Sequence, residues 1–232
     1  MPDTSDPQIE QIIADAKAGD ATAQFILGGM FENGGGVAED LQQARALYEK
    51  AAAQGFADAQ FNLGVMYETG TGAPQDYAQA KKWYEKAAAQ DDAAAQFNLG
   101  LLYADGLGVP QDYAQAKTWW EKAALQGDAD AQANLGVMYA EGQGVAQDFA
   151  QAIAWYEKAA AQGDPDAQCI LGEMYADGQG VPQDDVQAYK WFSLAGSCGI
   201  EEAMTALEEL ETIMTKAQID DAQKLAEKWK PQ

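Results

Sequence analysis

The pentapeptide QFNLG occupies residues 60–64 and returns unchanged at residues 96–100, and the variant QANLG follows at residues 132–136. Successive copies are 36 residues apart. A fixed period of this length is typical of solenoids built from small supersecondary units rather than of a single globular core. The sequence therefore predicts a repeat architecture, and the positions that vary between repeats are the ones left free for function.

Each 36-residue unit predicts two amphipathic helices. Counting positions 1 to 36 within a unit, Ala59, Leu63 and Met66 stand at positions 5, 9 and 12, the i, i+4, i+7 spacing of one helical face. Ala80 and Tyr84 begin the same spacing in the second half, at positions 26 and 30. The period gives five full repeats: 19–54, 55–90, 91–126, 127–162 and 163–198.

Glycine and aspartate mark the ends of the predicted helices. Gly70 and Gly72 separate the two halves of the second repeat, and glycine just past a helix closes it in the left-handed conformation. Asp76 follows, with Gln79 three residues later, which predicts a capping box at the start of the second helix. An aspartate occupies this position in all five repeats. The organisation is therefore helix, glycine turn, helix, repeated five times.

This pattern resembles the Sel1-like repeat, a 36-residue relative of the tetratricopeptide repeat. The resemblance is carried by ADAQFNLGVMYETGTGAPQDYAQAKKWYEKAAAQ, residues 57–90, although Asp91 replaces the usual glycine that follows. It covers residues 19–198 and implies an all-α fold, a right-handed α-solenoid superhelix of helix–turn–helix repeats. We expect about 13 helices.

Both ends of the chain predict extra helices. Residues 199–232 keep Ala203 and Leu207 of a first helix, although Glu208 replaces the glycine of position 10. The segment TKAQIDDAQKLAEKW, residues 215–229, then places apolar residues on one face. We expect a half repeat plus a C-terminal capping helix over residues 199–232 and an N-terminal capping helix over residues 1–18, because open solenoid ends expose apolar surface.

Composition argues against several functions. The formal net charge of −23 disfavours binding to nucleic acid, whose phosphates require lysine and arginine. Histidine is absent, which removes the commonest general base and a favoured metal ligand. Two cysteines at residues 169 and 198 cannot form a disulfide framework, and we expect free thiols. The sequence predicts a protein that is not an enzyme and that holds no cofactor and no metal.

The sequence predicts no membrane insertion, because no run of about 18 apolar residues occurs. The first residues, MPDTSDPQIEQ, lack the basic and apolar regions of a signal peptide. A cytoplasmic protein and a mature periplasmic or secreted protein both fit, and we expect a monomer.

The resemblance implies that the first helix of each repeat lines a concave groove. At 100° per residue, positions 4, 7, 8, 11, 14 and 15 oppose the core positions 5, 9 and 12. An apolar strip in the first three repeats is thereby predicted to give way to carboxylates. The candidate partner-binding residues are Phe25, Asp58, Phe61, Asn62, Val65, Phe97, Asn98, Leu101, Asp105, Asp130, Asn134, Glu141, Asp166, Glu173 and Asp177.

Two features of this candidate groove have alternative interpretations. The asparagine side chains of Asn62, Asn98 and Asn134 could hold the backbone of an extended peptide, since an amide both donates and accepts hydrogen bonds. They could instead bridge adjacent first helices. The phenylalanines at position 7 could anchor a partner or pack between neighbouring first helices.

The favoured function is a non-catalytic scaffold or adaptor that binds a protein or peptide with an apolar anchor and basic residues. The alternative is a module for glycans or cell-wall ligands of the bacterial envelope, which needs exposed aromatic rings. Trp83, Trp119 and Trp155 at position 29 are the candidates for those rings, and the competing interpretation is that they pack between successive second helices.

Overall fold

The computed structural model describes residues 6–230, which contain thirteen α-helices and no β-strand. The fold class is the predicted one: an all-α solenoid of helix–turn–helix repeats. The helices are α1 Pro7–Ala18, α2 Ala21–Asn33, α3 Leu41–Ala53, α4 Ala57–Thr69, α5 Tyr77–Ala88, α6 Ala93–Asp105, α7 Tyr113–Leu125, α8 Ala129–Glu141, α9 Phe149–Ala161, α10 Pro165–Asp177, α11 Asp185–Ser197, α12 Glu201–Ile213 and α13 Lys216–Lys228.

The chain forms two compact units that divide between residues 123 and 124. In each unit the even-numbered helices α2 to α12 are the first helices of the repeats, and the odd-numbered helices α3 to α11 are the second helices. Within a unit, each first helix packs against the second helix that follows it, as α4 does with α5 and α10 does with α11. The cores therefore lie between paired helices.

The predicted aspartate caps are present, but the predicted capping box at Asp76 forms only one of its two hydrogen bonds. The Asp76 carboxylate accepts a hydrogen bond from the Gln79 N–H at 3.0 Å. The Asp76 N–H itself donates to the carbonyl of Tyr67, near the end of the preceding helix, at 2.8 Å. A reciprocal capping box occurs at Thr215 and Gln218, where α13 begins. In the repeats, the N–H of the capping aspartate is instead bonded to a carbonyl near the end of the preceding helix, so the glutamine side chain is not needed there.

Position 10 holds a glycine because an aromatic ring of the following helix lies directly against it. A Cβ on Gly28 would stand 2.7 Å from the ring of Tyr48, and one on Gly136 would stand 2.6 Å from the ring of Tyr156. Real Cβ atoms do not approach carbon this closely. The two helices of a repeat therefore approach closely at this glycine, and the tyrosine rings are buried there.

A buried glutamine at position 6 links successive repeats by hydrogen bonds. Gln60 Nε2 donates to the carbonyl of Ala52 in the preceding helix at 3.1 Å. Gln60 Oε1 then accepts a hydrogen bond from Gln90 Nε2 at 2.9 Å. The bond to the preceding helix recurs at Gln24, Gln96, Gln132 and Gln168.

The fifth repeat lacks the second half of this arrangement. Cys198 stands at position 36, where the other repeats have glutamine. Gln168 donates to the Ala160 carbonyl at 3.3 Å, but its Oε1 atom is buried without a hydrogen-bond partner. A buried acceptor left unpaired costs about 1–3 kcal/mol.

We predict that Cys198→Gln stabilises the protein, because the new amide can donate to Gln168 Oε1. The expected gain in the free energy of unfolding is about 1 kcal/mol, measured by urea denaturation. Cys198→Ala is the matched control, since it removes the thiol and supplies no donor. Equal stability of the two variants would show that the orphaned acceptor is not what limits this repeat.

At the two ends of the described chain, single helices complete the packing. Ile12, Ile13 and Ala16 of α1 contact the core of the first repeat. Helix α13 packs mainly against α11, with Ala222 buried and the Trp229 ring 6.4 Å from that of Trp191. Leu225, predicted on the buried face of α13, is 38% exposed.

Candidate functional site

The open face of each first helix is narrower than the sequence predicts. The buried residues are those of positions 5, 6, 9, 10 and 12, because the glutamine and glycine described above face the core as well. At 100° per residue this buried arc spans about 160°, against about 60° for positions 5, 9 and 12 alone, and its centre lies about 50° from the predicted core direction. Positions 4, 8, 11 and 15 lie within about 60° of one another on the helix surface, and positions 4 and 15 are exposed in every full repeat. These four positions form the open stripe.

The phenylalanines at position 7 are half-buried, and the rings of Phe25 and Phe61 pack against tyrosine rings of the second helices. The Phe25 ring is half-buried, 5.7 Å from the ring of Tyr48 and 5.0 Å from that of Phe56. The Phe61 ring lies 5.8 Å from that of Tyr84. Phe97 is half-buried as well. These rings contribute to packing within the first unit, and their outer edges flank the open stripe.

The asparagines at position 8 lie on the open stripe and also make a structural contact. Asn62 hydrogen-bonds to the hydroxyl of Tyr48, which itself donates to Glu32 Oε2 at 2.6 Å. Asn98 makes the same contact with Tyr84. Burial, together with the neighbouring carboxylate, raises the pKa of Tyr48, so this phenol stays protonated as a donor. Asn62 and Asn98 therefore link their helices to the preceding second helix.

The remaining candidate residues of the first unit all stand at positions of the open stripe. Asp58 and Asp105 are exposed at positions 4 and 15, and Val65 and Leu101 are half-buried between them at position 11. The open stripes of α4 and α6 are thus mixed, with small apolar centres and one carboxylate each.

The second unit carries the acidic part of the candidate site. Asp130, Glu141, Asp166, Glu173 and Asp177 are all exposed. Asn134, between the first two of these on α8, is half-buried. Four of the five carboxylates stand at positions 4 and 15, the ends of the open stripe, and Glu173 replaces at position 11 the apolar residue of the earlier repeats.

A pocket of about 460 Å³ lies between α10, α11 and α12, and the sequence analysis missed it. Phe192 and Leu210, both buried, form its apolar lining. Glu173, Asp177 and Glu209 surround the apolar part. The remaining lining residues are Ala176, Gln183, Asp185, Ala206, Thr212 and Ile213, so none of the lining residues is basic.

The electrostatics of this pocket are those of clustered anions. Burial, and then the charges of Asp177 and Glu202, raise the pKa of the Glu173 carboxyl. Burial and the charge of Glu173 also raise the pKa of Cys169 to about 11, so this thiol stays protonated at neutral pH. A cation placed among these carboxylates would relieve their mutual repulsion.

The tryptophans at position 29 of the second, third and fourth repeats are half-buried, and each has a lysine ammonium over its ring. Trp83 packs against the cluster that contains Leu63 and Met66, and the ammonium of Lys86 lies 3.6 Å from its ring centroid on the other side. Lys122 lies 4.1 Å from the ring of Trp119, and Lys158 lies 3.7 Å from that of Trp155. These contacts support the packing interpretation for Trp83 and Trp119, whose rings lie against apolar clusters.

Other candidate chemistry is limited in the described part of the chain. Among residues 6–230, no group of three or more cysteine, aspartate and glutamate side chains is arranged to hold a metal ion. None of the thirteen helices combines the length and apolar character needed to cross a membrane.

The Sel1 repeat family model matches residues 21–56, 57–92, 93–128, 129–164 and 165–200. Its units begin two residues later than the repeats defined above, which start at residue 19. No curated protein gives a significant match.

Two solved structures show the same fold at more than a third sequence identity. One is c5321, a protective antigen of uropathogenic Escherichia coli strains, with 36% identity and a TM-score of 0.88 over 94% of this chain and 47% of that one. The other is a Sel1 repeat protein from Oxalobacter formigenes, with 37% identity and a TM-score of 0.74 over 91% of this chain and 86% of that one. The chain thus spans about half the length of the Escherichia coli protein.

An all-α chain of helix–turn–helix repeats, with its variable residues on one stripe of each first helix, defines an α-solenoid of the tetratricopeptide-like class. The chain belongs to the Sel1 repeat family. Proteins of this family are generally protein-interaction scaffolds, and their fold is typically non-catalytic.

Proposed function

We propose that the chain is a non-catalytic scaffold that binds a basic segment of a protein partner on the open faces of its first helices. The observation that carries this proposal is the pocket between α10, α11 and α12, where carboxylates surround the apolar side chains of Phe192 and Leu210. Lysine and arginine match such a pocket, because their aliphatic stems cover apolar surface while the charged head meets the carboxylates.

Arginine matches the carboxylates best. Its planar guanidinium can form two parallel hydrogen bonds to one carboxylate, and charge-assisted hydrogen bonds of this kind are about twice as strong as neutral ones. Asp177 and Glu209 present such carboxylates at the pocket. The net charge of −23 also speeds the encounter with a basic partner.

The open stripes of the first unit suit a different part of the partner than the acidic pocket does. The stripes of α4 and α6 place Val65 and Leu101 beside the amides of Asn62 and Asn98. These surfaces suit an apolar side chain followed by an extended backbone, since each amide has a second N–H that the tyrosine contact does not use. We propose that the apolar anchor of the partner binds here.

Selection of peptides from a displayed random library by the full chain tests this function. We expect enrichment of sequences that contain an apolar residue and lysine or arginine. Counter-selection with Glu173→Gln/Glu209→Gln should reduce the affinity for enriched peptides about 10–100-fold, because each charge-assisted contact at an exposed carboxylate contributes about 1 kcal/mol. The pocket variant is preferable to alanine at Asn62 or Phe61, whose side chains support the fold.

The matched control is Glu157→Gln/Glu227→Gln, which changes the net charge equally at exposed residues outside the lining of the pocket. It should bind enriched peptides nearly as the unaltered protein does. Enriched peptides without basic residues, or equal losses in both double variants, would contradict the pocket as the basic-residue site.

A further inference from the structure

Repeat position 29 is tryptophan in four repeats and leucine in the first. The residues are Leu47, Trp83, Trp119, Trp155 and Trp191. The first repeat therefore lacks the ring that packs beside residues of the preceding repeat at Trp83, Trp119 and Trp191.

In the second repeat, the tryptophan fills a defined space. Trp83 of α5 packs against a cluster that includes Ala52 of α3 and Leu63 and Met66 of α4. Lys86, one helical turn further on, covers the outer face of the ring at 3.6 Å. The same lysine position is occupied by Lys122 and Lys158, each over its own tryptophan, and by Lys50 in the first repeat.

In the first repeat, the surroundings are preserved and the ring is missing. Ala16, Leu27 and Met30 stand at the positions of Ala52, Leu63 and Met66, and Leu47 packs against their cluster. A cavity of about 410 Å³ lies beside Leu47. Ile13, Ala16, Leu27 and Phe31 line it together with Lys17 and Lys50.

We propose that this cavity binds an aromatic side chain, an indole by preference, of a protein partner. The ring would occupy the place that tryptophan holds in the other repeats, with its inner face on Leu27 and Leu47 and its outer face under the Lys50 ammonium. A lysine over an aromatic face is attracted by the quadrupole of the ring, most strongly for indole. The internal repeats of this chain provide the template for that arrangement.

The charge around the cavity defines the neighbours of the aromatic residue. Lys17 stands at position 35, where the five full repeats have alanine, leucine or serine, so this second ammonium is particular to the cavity. Lys17 and Lys50 form no ion pair with any carboxylate of residues 6–230. An aromatic residue next to aspartate or glutamate therefore fits best, although the protein as a whole is strongly acidic.

The occupant is assigned to a partner because this chain has no tryptophan left to supply. All six tryptophans lie within residues 83–229. Trp83, Trp119 and Trp191 pack in clusters of their own units, and Trp120 donates to the carbonyl of Phe97. The cavity involves α1, α2 and α3, whereas the basic-residue pocket involves α10, α11 and α12. The two proposals are independent of each other.

Titration of the full chain with the peptide acetyl-Glu-Gly-Trp-Gly-Glu-amide, followed by methyl NMR shifts of Ile13, Leu27 and Leu47, tests the proposal. We expect saturable shifts at these methyls, and at least tenfold weaker binding when the peptide tryptophan is replaced by leucine. Lys50→Gln should weaken binding severalfold through loss of the cation–π contact. The variant Glu173→Gln/Glu209→Gln should bind this peptide normally.

Leu47→Trp is the decisive variant, because it fills the cavity with the ring used in the other repeats. It should keep or raise the melting temperature and lose at least tenfold in peptide affinity. Equal binding of the tryptophan and leucine peptides, or undiminished binding by folded Leu47→Trp, would overturn the proposal. Self-association of the unaltered chain without peptide, abolished by Leu47→Trp, would replace the partner with a second copy.

Discussion

Replacing Leu99 with alanine is expected to lower the free energy of unfolding by about 2–5 kcal/mol. Leu99 is 0% exposed and belongs to a cluster with Tyr84, Ala95 and Leu102. Truncation removes the buried side-chain atoms and leaves a cavity, because the clustered helices cannot fully close over the space. Urea denaturation followed by circular dichroism measures the change.

Leu125→Ala is the matched control for this variant. Leu125 is also in a helix but is 81% exposed, so its truncation should change the free energy of unfolding by less than about 0.5 kcal/mol. If the two variants were equally stable, the core assignment of repeat position 9 would be wrong.

The adjacent glycines Gly28 and Gly29 are expected to respond to alanine in opposite directions. A Cβ on Gly28 would stand 2.7 Å from the Tyr48 ring, whereas the nearest atom to a Cβ on Gly29 is the Tyr48 hydroxyl oxygen at 3.6 Å. Gly28→Ala should therefore destabilise the protein by about 1–3 kcal/mol, because the buried ring has to move. Gly29→Ala should stabilise it by about 0.5–1 kcal/mol through helix propensity.

Each of these two variants is the matched control for the other, since the two residues lie in the same helix and undergo the same substitution. Thermal melts of both variants give the comparison. A stable Gly28→Ala protein would show that the tyrosine ring is not held against the helix and that position 10 is glycine for another reason.

The 36-residue period and the glycines and aspartates at the helix ends were sufficient to predict the helices, because helix formation and capping depend on local chemistry. Asp76 caps α5, and Gly70 ends α4 in the left-handed conformation, as their places in the repeat indicate. The Gln60 bridge was also predictable, since a polar residue repeated beside a core face needs a partner. These features can be predicted from the sequence of a single repeat.

The open face was harder to predict, because burial depends on what the neighbouring helix supplies. The helix surface at Gly64 is buried only because the ring of Tyr84 lies against it. The buried arc of the helix therefore extends beyond its apolar residues. Phe61 consequently packs against the Tyr84 ring instead of standing free on the open face. A glycine repeated within a helix is the signal that an aromatic residue of the next helix approaches there.

The pocket near Phe192 was missed because the segment after residue 198 departs from the repeat. Glu209 and Ile213 stand at positions 11 and 15 of the half repeat, so numbering α12 in the same frame would have placed them on the open stripe. Phe192 itself was predicted as core, and its contribution to the pocket depends on how α12 packs. The cavity beside Leu47, by contrast, had a visible signal in the interrupted tryptophan column.

The most direct measurement of the central claim is amide chemical-shift mapping of an enriched basic peptide on the labelled full chain. Shifts concentrated at Glu173, Asp177, Phe192, Glu209 and Leu210, and absent in Glu173→Gln/Glu209→Gln at the same peptide concentration, are the predicted result. Shifts confined to the outer surfaces of the second helices, with the pocket residues unmoved, would contradict the assignment of the first-helix faces as the binding surface.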